Sequence, residues 1–391
     1  MKKVLQNITI ALVSLFITLA ICEVGARFLL PAPMAVKVTQ TKLLPSSKPQ
    51  KDVVGADGSI NNVIDWSGKM GVRLYPNVTG YIHNHILSHQ DVVIRVNSLG
   101  FRGEEIPPRQ PGQFRVLFMG DSITFGDYLE ESLTIPALVQ EKLRARGYTN
   151  VVIMNAGLPG INLAEEYAHY QEMYESADPD LVLLGMYLND AQQAQKFYAK
   201  TLRFPFSASR FLTWVAQKYQ LVNTEYLFGK VKVPTAEKDW REKFAAGRKL
   251  HTGNMLTTRD GFDFEIYNAH NDFGLGWSPI AWQQLQKIAT SFVGLVRQNN
   301  SKFATFMFPI LMQVYCTPEA LSTYPQDQFT KIYTDLKVPN FDLLPVLRSK
   351  AAGIPPKELF YDHCHYRALG NQLVSDILVE WLIKDSIVPK P

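Results

Sequence analysis

The 391-residue sequence has only three cysteines, Cys22, Cys316 and Cys364, too few for a disulfide framework, so packing must hold the fold. It also lacks a charge excess. Forty Lys+Arg against 36 Asp+Glu give a net +4, without the concentrated basic face that nucleic acid demands. No Gly-Lys-Ser/Thr closes any glycine-containing turn, which excludes a phosphate loop. No internal repeat is present, and low complexity is confined to one Pro- and Ser-containing stretch, so solenoids are excluded as well. What remains is a chain with 46% hydrophobic and 12% aromatic residues, far from disordered compositions and long enough to bury a large core. Its length fits two or three units, or one decorated α/β domain.

Lys2 and Lys3 precede an apolar run of 15 residues, Ile8 to Cys22. No Ala-x-Ala pattern comes before Pro31, which predicts an uncleaved signal anchor, a transmembrane helix over residues 1–30. The leading lysines place that end in the cytoplasm and everything after the helix outside the membrane, periplasmic or extracellular. Ile21 is too bulky to precede a lipid-modified cysteine, so Cys22 is expected as a membrane-buried thiol. Residues 31–65 read as a tether and 66–112 as a strand-rich extension punctuated by Pro, Asn and Gly. His83, His85 and His89 cluster there without Cys or carboxylate at ligand spacing. They are read as exposed strand histidines, not a metal site.

From residue 113 the rhythm changes. Apolar runs at Arg115–Met119, Val151–Met154, Leu181–Leu184 and 303–311 alternate with helical patterns at 129–147, from Ala164, over 277–298 and over 371–385. Continuous apolar strands alternating with amphipathic helices predict a three-layer α/β/α domain with a parallel sheet, spanning 113–391. Polar residues collect just past the strand ends, where such sheets place their sites. The alternation stops over about 191–275, read as a mostly helical insertion. Over 191–260 it carries thirteen Lys+Arg against five Asp+Glu, a local +8, and its first half is rich in aromatic residues. Helix core with solvated lysines accounts for it. So does a lid or groove for an anionic or acylated ligand or a membrane surface.

Gly120-Asp121-Ser122-Ile123-Thr124-Phe125-Gly126 lies between the first strand and a helix, which puts the Ser122 hydroxyl at a helix amino end among unsatisfied N–H groups. A serine there serves equally as an N-cap. As a nucleophile it needs a base, itself oriented by an acid. Asp362 and His365, three apart just before the last helix, supply both: the carboxylate can hold Nδ1–H while Nε2 points elsewhere. His363 is an alternative base, but it adjoins Asp362 and is hard for that side chain to orient. The closely spaced His363-Cys364-His365 triplet does not suit a zinc pair, so neither metal nor cofactor is expected.

Four blocks in this order, the serine turn, a second strand ending at Gly157, a third leading to Asn189, and Asp362-x-x-His365, resemble the SGNH or GDSL family of serine hydrolases. The blocks lie within Phe114–Asp190 and Asp362–Leu378. The resemblance implies a flavodoxin-like fold, with Ser122 as nucleophile, His365 as general base and acid, and Asp362 as its orienter. It also implies an oxyanion hole from the backbone N–H of Ser122 and of Gly157 and the Asn189 amide. Asp190 is expected to support the turn. One block departs from the pattern: Tyr187 stands two residues before Asn189, where the family has Gly, and Gly185 stands four before. The implied protein is a membrane-anchored esterase acting through an acyl-enzyme on acyl, including acetyl, esters of a surface glycan or lipid. An O-acyltransferase using the same residues, and a non-catalytic glycan-binding protein on this fold, are the alternatives. A Cys316–Cys364 disulfide pinning the His365 loop is expected if the two sheet edges adjoin.

Overall fold

The computed structural model describes residues 2–29, 52–55, 63–65, 73–82, 85, 87–191, 209, 211, 274–315 and 322–390. The chain divides into two compact units, Met1–Ser46 with Ala194–Lys232, and Ser47–Gln193 with Val233–Pro391. Cys316, His83, and nearly all of the expected tether and insertion lie outside the described residues.

In the first unit, helix α1 (Lys2–Leu29) carries a 21-residue stretch, Thr9–Leu29, of mean hydropathy 2.1, long and apolar enough to cross a membrane. Ile10, Phe16 and Phe28 are exposed along it. A carboxylate in so apolar a helix needs partners. Glu23 has them: Arg27 one turn on at 2.8 Å, the Ser209 hydroxyl at 2.7 Å and the Phe211 backbone N–H at 3.0 Å.

The second unit begins with short strands. β1 (Asp52–Gly55), β2 (Ile64–Asp65), β3 (Arg73–Leu74), β4 (Val78–Ile82) and β5 (Val92–Val96) form one three-stranded sheet in the order β1-β4-β5 and one two-stranded sheet, β2-β3. β1 and β2 fall within the stretch read as tether. Runs of two to four residues are too short to show a period, and only pairing reveals them. Val63, Ile64, Leu74 and the inward residues of β4 and β5 pack with Phe125, Leu158 and Ile161, so this extension braces the main domain from beside the serine turn.

Strands β6 (Phe114–Gly120), β7 (Val151–Gly157), β8 (Leu181–Met186), β9 (Lys302–Met307) and β10 (Asn340–Asp342) form a parallel sheet in the order β10-β9-β8-β6-β7. Described helices α2 (Ser122–Phe125), α3 (Ile135–Ala145), α4 (Leu163–Ala177), α5 (Pro279–Gln298), α6 (Leu311–Tyr315), α7 (Tyr324–Asp335), α8 (Leu344–Lys350), α9 (Pro356–Leu359) and α10 (Ala368–Lys384) connect and cover it. The strand order reverses between β6 and β8, the position at whose carboxyl ends open α/β sheets place their sites. At that edge Gly120 pairs with Gly157 on one side and Gly185 on the other, a row of three glycines across the sheet. A Cβ on Gly157 would stand 2.5 Å from the Phe125 backbone nitrogen, and one on Gly185 would stand 2.7 Å from the Phe308 ring. The row lets the serine-bearing helix lie directly on the strand ends.

Two boundaries differ from the sequence reading. The 129–147 pattern begins with a 3₁₀ turn, Glu131–Leu133, and the helix proper starts after Thr134, whose hydroxyl caps Ala137 N, with Pro136 in the first turn. The strand expected over 303–311 ends at Met307, because Pro309 cannot donate to a ladder and the chain turns into α6.

Candidate active site

The serine, glycine and asparagine of the site lie at or just past strand ends, and the aspartate and histidine lie in the loop between α9 and α10. After β6 the Asp121 carboxylate accepts from Ile123 N at 2.9 Å and caps α2. Gly126 closes the helix in the left-handed region at φ 73°. Arg102, 3% exposed and delivered by the N-terminal extension, donates to the carbonyls of Phe125 at 2.7 Å and Leu129 at 2.6 Å. Its guanidinium also lies over the Phe125 ring at 5.2 Å. Burial pulls this arginine down to about 10, opposed by Asp127, Glu131 and Glu130. Arg102→Ala would take the arginine's donors from both carbonyls, leaving that of Phe125 only the long 3.4 Å bond from Asn155 Nδ2, and the variant is expected to lose about 2–4 kcal/mol of stability in denaturant unfolding, with Arg102→Lys recovering little.

On this scaffold Ser122 Oγ lies 2.8 Å from His365 Nε2, and His365 Nδ1 lies 2.7 Å from Asp362 Oδ2. Asp362 Oδ1 meanwhile accepts from the backbone N–H of Cys364 at 2.9 Å and of His365 at 2.8 Å, which folds the loop around its own carboxylate. With Nδ1–H donated to Asp362, Nε2 is left to accept the Ser122 proton. Burial alone would lower the His365 imidazole. The charge and hydrogen bond of Asp362, with Asp127 and Asp121, more than reverse this and raise it to about 9. Burial would raise Asp362, but His365 and His363 and the loop's N–H groups hold it well below the usual carboxylate range. His363, the alternative base, sits with Nδ1 at 3.9 Å from Asp362 Oδ1 and its ring beside Tyr187, and it is His365 that reaches the serine. Cys364 Sγ lies 3.5 Å from His365 Nδ1, and one ligand-type atom each from Asp362, Cys364 and His365 falls within 4.8 Å of the others. The disulfide expected of Cys364 involves Cys316, outside the described residues.

Gly157 and Asn189 stand at the same edge, already engaged. Gly157 N donates to Asn155 Oδ1 at 3.1 Å, and the space beside its Cα is filled by α2 rather than left open for a carbonyl. Asn189 Nδ2 donates to Asp121 Oδ2 at 2.9 Å and more distantly to the Ile161 carbonyl at 3.4 Å. Tyr187 is buried. Its N–H is accepted by Asp190 Oδ2 at 2.8 Å, so the residue standing where the family has glycine ends β8 in a 3₁₀ turn, Leu188–Ala191, that carries Asn189.

Several contributors escaped the sequence reading. Asp121 links the serine turn to Asn189. Tyr128 packs edge-on against the His365 ring at 5.0 Å and against Tyr361 at 5.6 Å, walling the histidine. His85, expected exposed on a strand, is buried outside β4 with Nε2 3.6 Å from Asp127 Oδ2. The recurring signal was the acidic and aromatic content of the serine turn itself, Asp121, Asp127 and Tyr128.

A parallel sheet with serine on its first crossover turn, glycine and asparagine at the next two strand ends, and Asp-x-x-His before the last helix is the arrangement that the resemblance to the SGNH/GDSL hydrolases implies. No family model and no curated protein matches the chain. Among solved structures it is similar to the acetyl xylan esterase AlAXEase (15% identity, 68% of this chain and 98% of that one, TM-score 0.37). A catalytic mutant of the Geobacillus stearothermophilus acetylxylan esterase Axe2 aligns at 13% identity over 69% of this chain and 94% of that one, TM-score 0.40. The lipase/acylhydrolase from Enterococcus faecalis aligns at 11% over 70% and 97%, TM-score 0.39.

Proposed function

We propose that this chain is a serine ester hydrolase, held at a membrane by α1, that removes acyl groups, acetyl among them, from a surface glycan or lipid on the extracytoplasmic side. The observation that supports it is the unbroken line Ser122 Oγ, His365 Nε2/Nδ1, Asp362 Oδ2, with both links at hydrogen-bond length. In this reading Ser122 attacks the ester carbonyl as His365 takes its proton. The imidazolium, steadied by Asp362, then gives that proton to the departing alcohol, leaving an acyl-enzyme. Water, deprotonated by His365, releases the acid and restores the serine. The Ser122 N–H, Gly157 N–H and Asn189 amide receive the developing oxyanion, the latter two exchanging or sharing the acceptors they hold at rest.

The test is full-length protein in detergent, offered aryl esters from acetyl to octanoyl and a fluorophosphonate probe. Labelling on Ser122, free acid as product and a preference for acetyl are expected. Transfer of the acyl group to an added oligosaccharide in place of acid release would make it an acyltransferase. Absence of both labelling and turnover would leave only a binding protein.

A further inference from the structure

Around the turn that carries Asn189, several buried polar atoms have no hydrogen-bond partner: both carboxyl oxygens of Glu166, Oδ1 of Asp190 and the hydroxyl of Tyr333. Glu166 and Tyr333 are wholly buried and Asp190 is 3% exposed. Their juxtaposition follows from the helix. Asp190 accepts the backbone N–H of Tyr187 and that of Leu163, the first residue of α4. Glu166 is three residues further along, on the same face, so its carboxyl comes to the carboxylate that Leu163 already contacts. Tyr333, from α7, feels the charge of the same two acids, and Asp121 and Glu165 are the other charged neighbours.

Two ionised carboxylates in such a place would face each other unsolvated, which no native structure sustains without a counter-charge. A single proton relieves the pair. As a carboxylic acid, Glu166 has an O–H to give to Asp190 Oδ1, while Asp190 remains the acceptor for its two N–H groups. We propose that Glu166 and Asp190 share one proton, and that this buried acid pair is a positioning unit that fixes the Tyr187–Asp190 turn and thereby aims Asn189 at the reacting carbonyl. The shared proton is independent of what the protein catalyses; the effect on turnover rests on the esterase reading.

Two readouts separate these. Infrared difference spectra of the full-length protein at neutral pH, wild type against Glu166→Gln, should show a protonated-carboxyl C=O band that the variant lacks; no such difference overturns the shared proton whatever the activity. In ester hydrolysis Glu166→Gln, whose amide can still donate to Asp190, should keep wild-type kcat. Glu166→Met, similar in size but without a donor, should lose ~10–100-fold in kcat with KM unchanged, the scale of a small misplacement at a reacting centre. Equal kcat in all three proteins, or a loss in Gln as large as in Met, overturns the positioning role. If wild type shows no turnover, the esterase reading fails and the infrared band still decides the proton. If the Met variant does not fold, Glu166→Leu takes its place under the same outcomes.

Discussion

Ser122→Ala should lower kcat by roughly 10⁶-fold, the scale at which a triad acting as one unit loses its nucleophile, while leaving the melting transition unmoved. The reason for the second half is local. Ser122 is the first residue of α2, and the cap that holds that helix is Asp121, whose carboxylate bonds Ile123 N and would remain. Arg102 grips the other end of the turn through Phe125 and Leu129 and is equally untouched. His365 would lose only an acceptor–donor contact to a side chain that is half-exposed. Burst titration with a fluorophosphonate, beside steady-state turnover, measures both wild-type contamination and the true residue. A fall of less than about tenfold would mean that another group attacks and would remove Ser122 from the mechanism.

How much of this was readable beforehand depended on range. Strand cores and amphipathic helices from Phe114 onward showed themselves because each signal is complete within a dozen residues: the serine turn, α5 with Ser278 before Pro279, and α10 were placed within a few residues of their positions. Ser122, His365 and Asp362 are each ambiguous alone and come together only through the four-block resemblance, and the structure brings their side chains to hydrogen-bond distance. Contacts between distant segments stayed hidden. Nothing in the spacing tells that Arg102 reaches Phe125, that Asp121 holds Asn189, or that His85 turns inward to Asp127. Such pairs are set by how the extension packs on the sheet edge, and a single sequence carries no period for that. The resemblance implies Gly157 as a backbone donor, whereas what the structure adds is that its missing Cβ makes room for α2. The acid pair behind Asn189 shows the same limit: Glu166 reads as an ordinary polar residue on α4 until Asp190 and Tyr333 are placed against it.

Asp362→Asn is expected to cost roughly 10⁴-fold in kcat, and its pH dependence carries the cause. Asparagine preserves the shape of the loop and can still accept from the N–H groups of Cys364 and His365. Against Nδ1, however, a neutral amide no longer fixes the proton there. The ring can then carry its proton on Nε2, where it donates to Ser122 instead of accepting from it. In wild type the base must be neutral to work, so kcat/KM should climb with pH until His365 loses its proton near 9. Without Asp362 the burial that lowers the imidazole is left opposed only by Asp127 and Asp121, so the variant's acid limb should move down by a unit or more and flatten earlier. The wild-type to variant ratio of kcat/KM therefore widens as pH rises from 7 to 9. Stability runs the opposite way. Because the folded protein holds the His365 proton more tightly than the ordinary value of 6.5, the pair's contribution is complete below 6.5 and drains away as pH rises through about 9. Wild type should thus melt above Asp362→Asn by a margin that shrinks across that window. A ratio independent of pH, or a variant whose acid limb stays where wild type's is, would mean that Asp362 orders the loop without acting on the histidine.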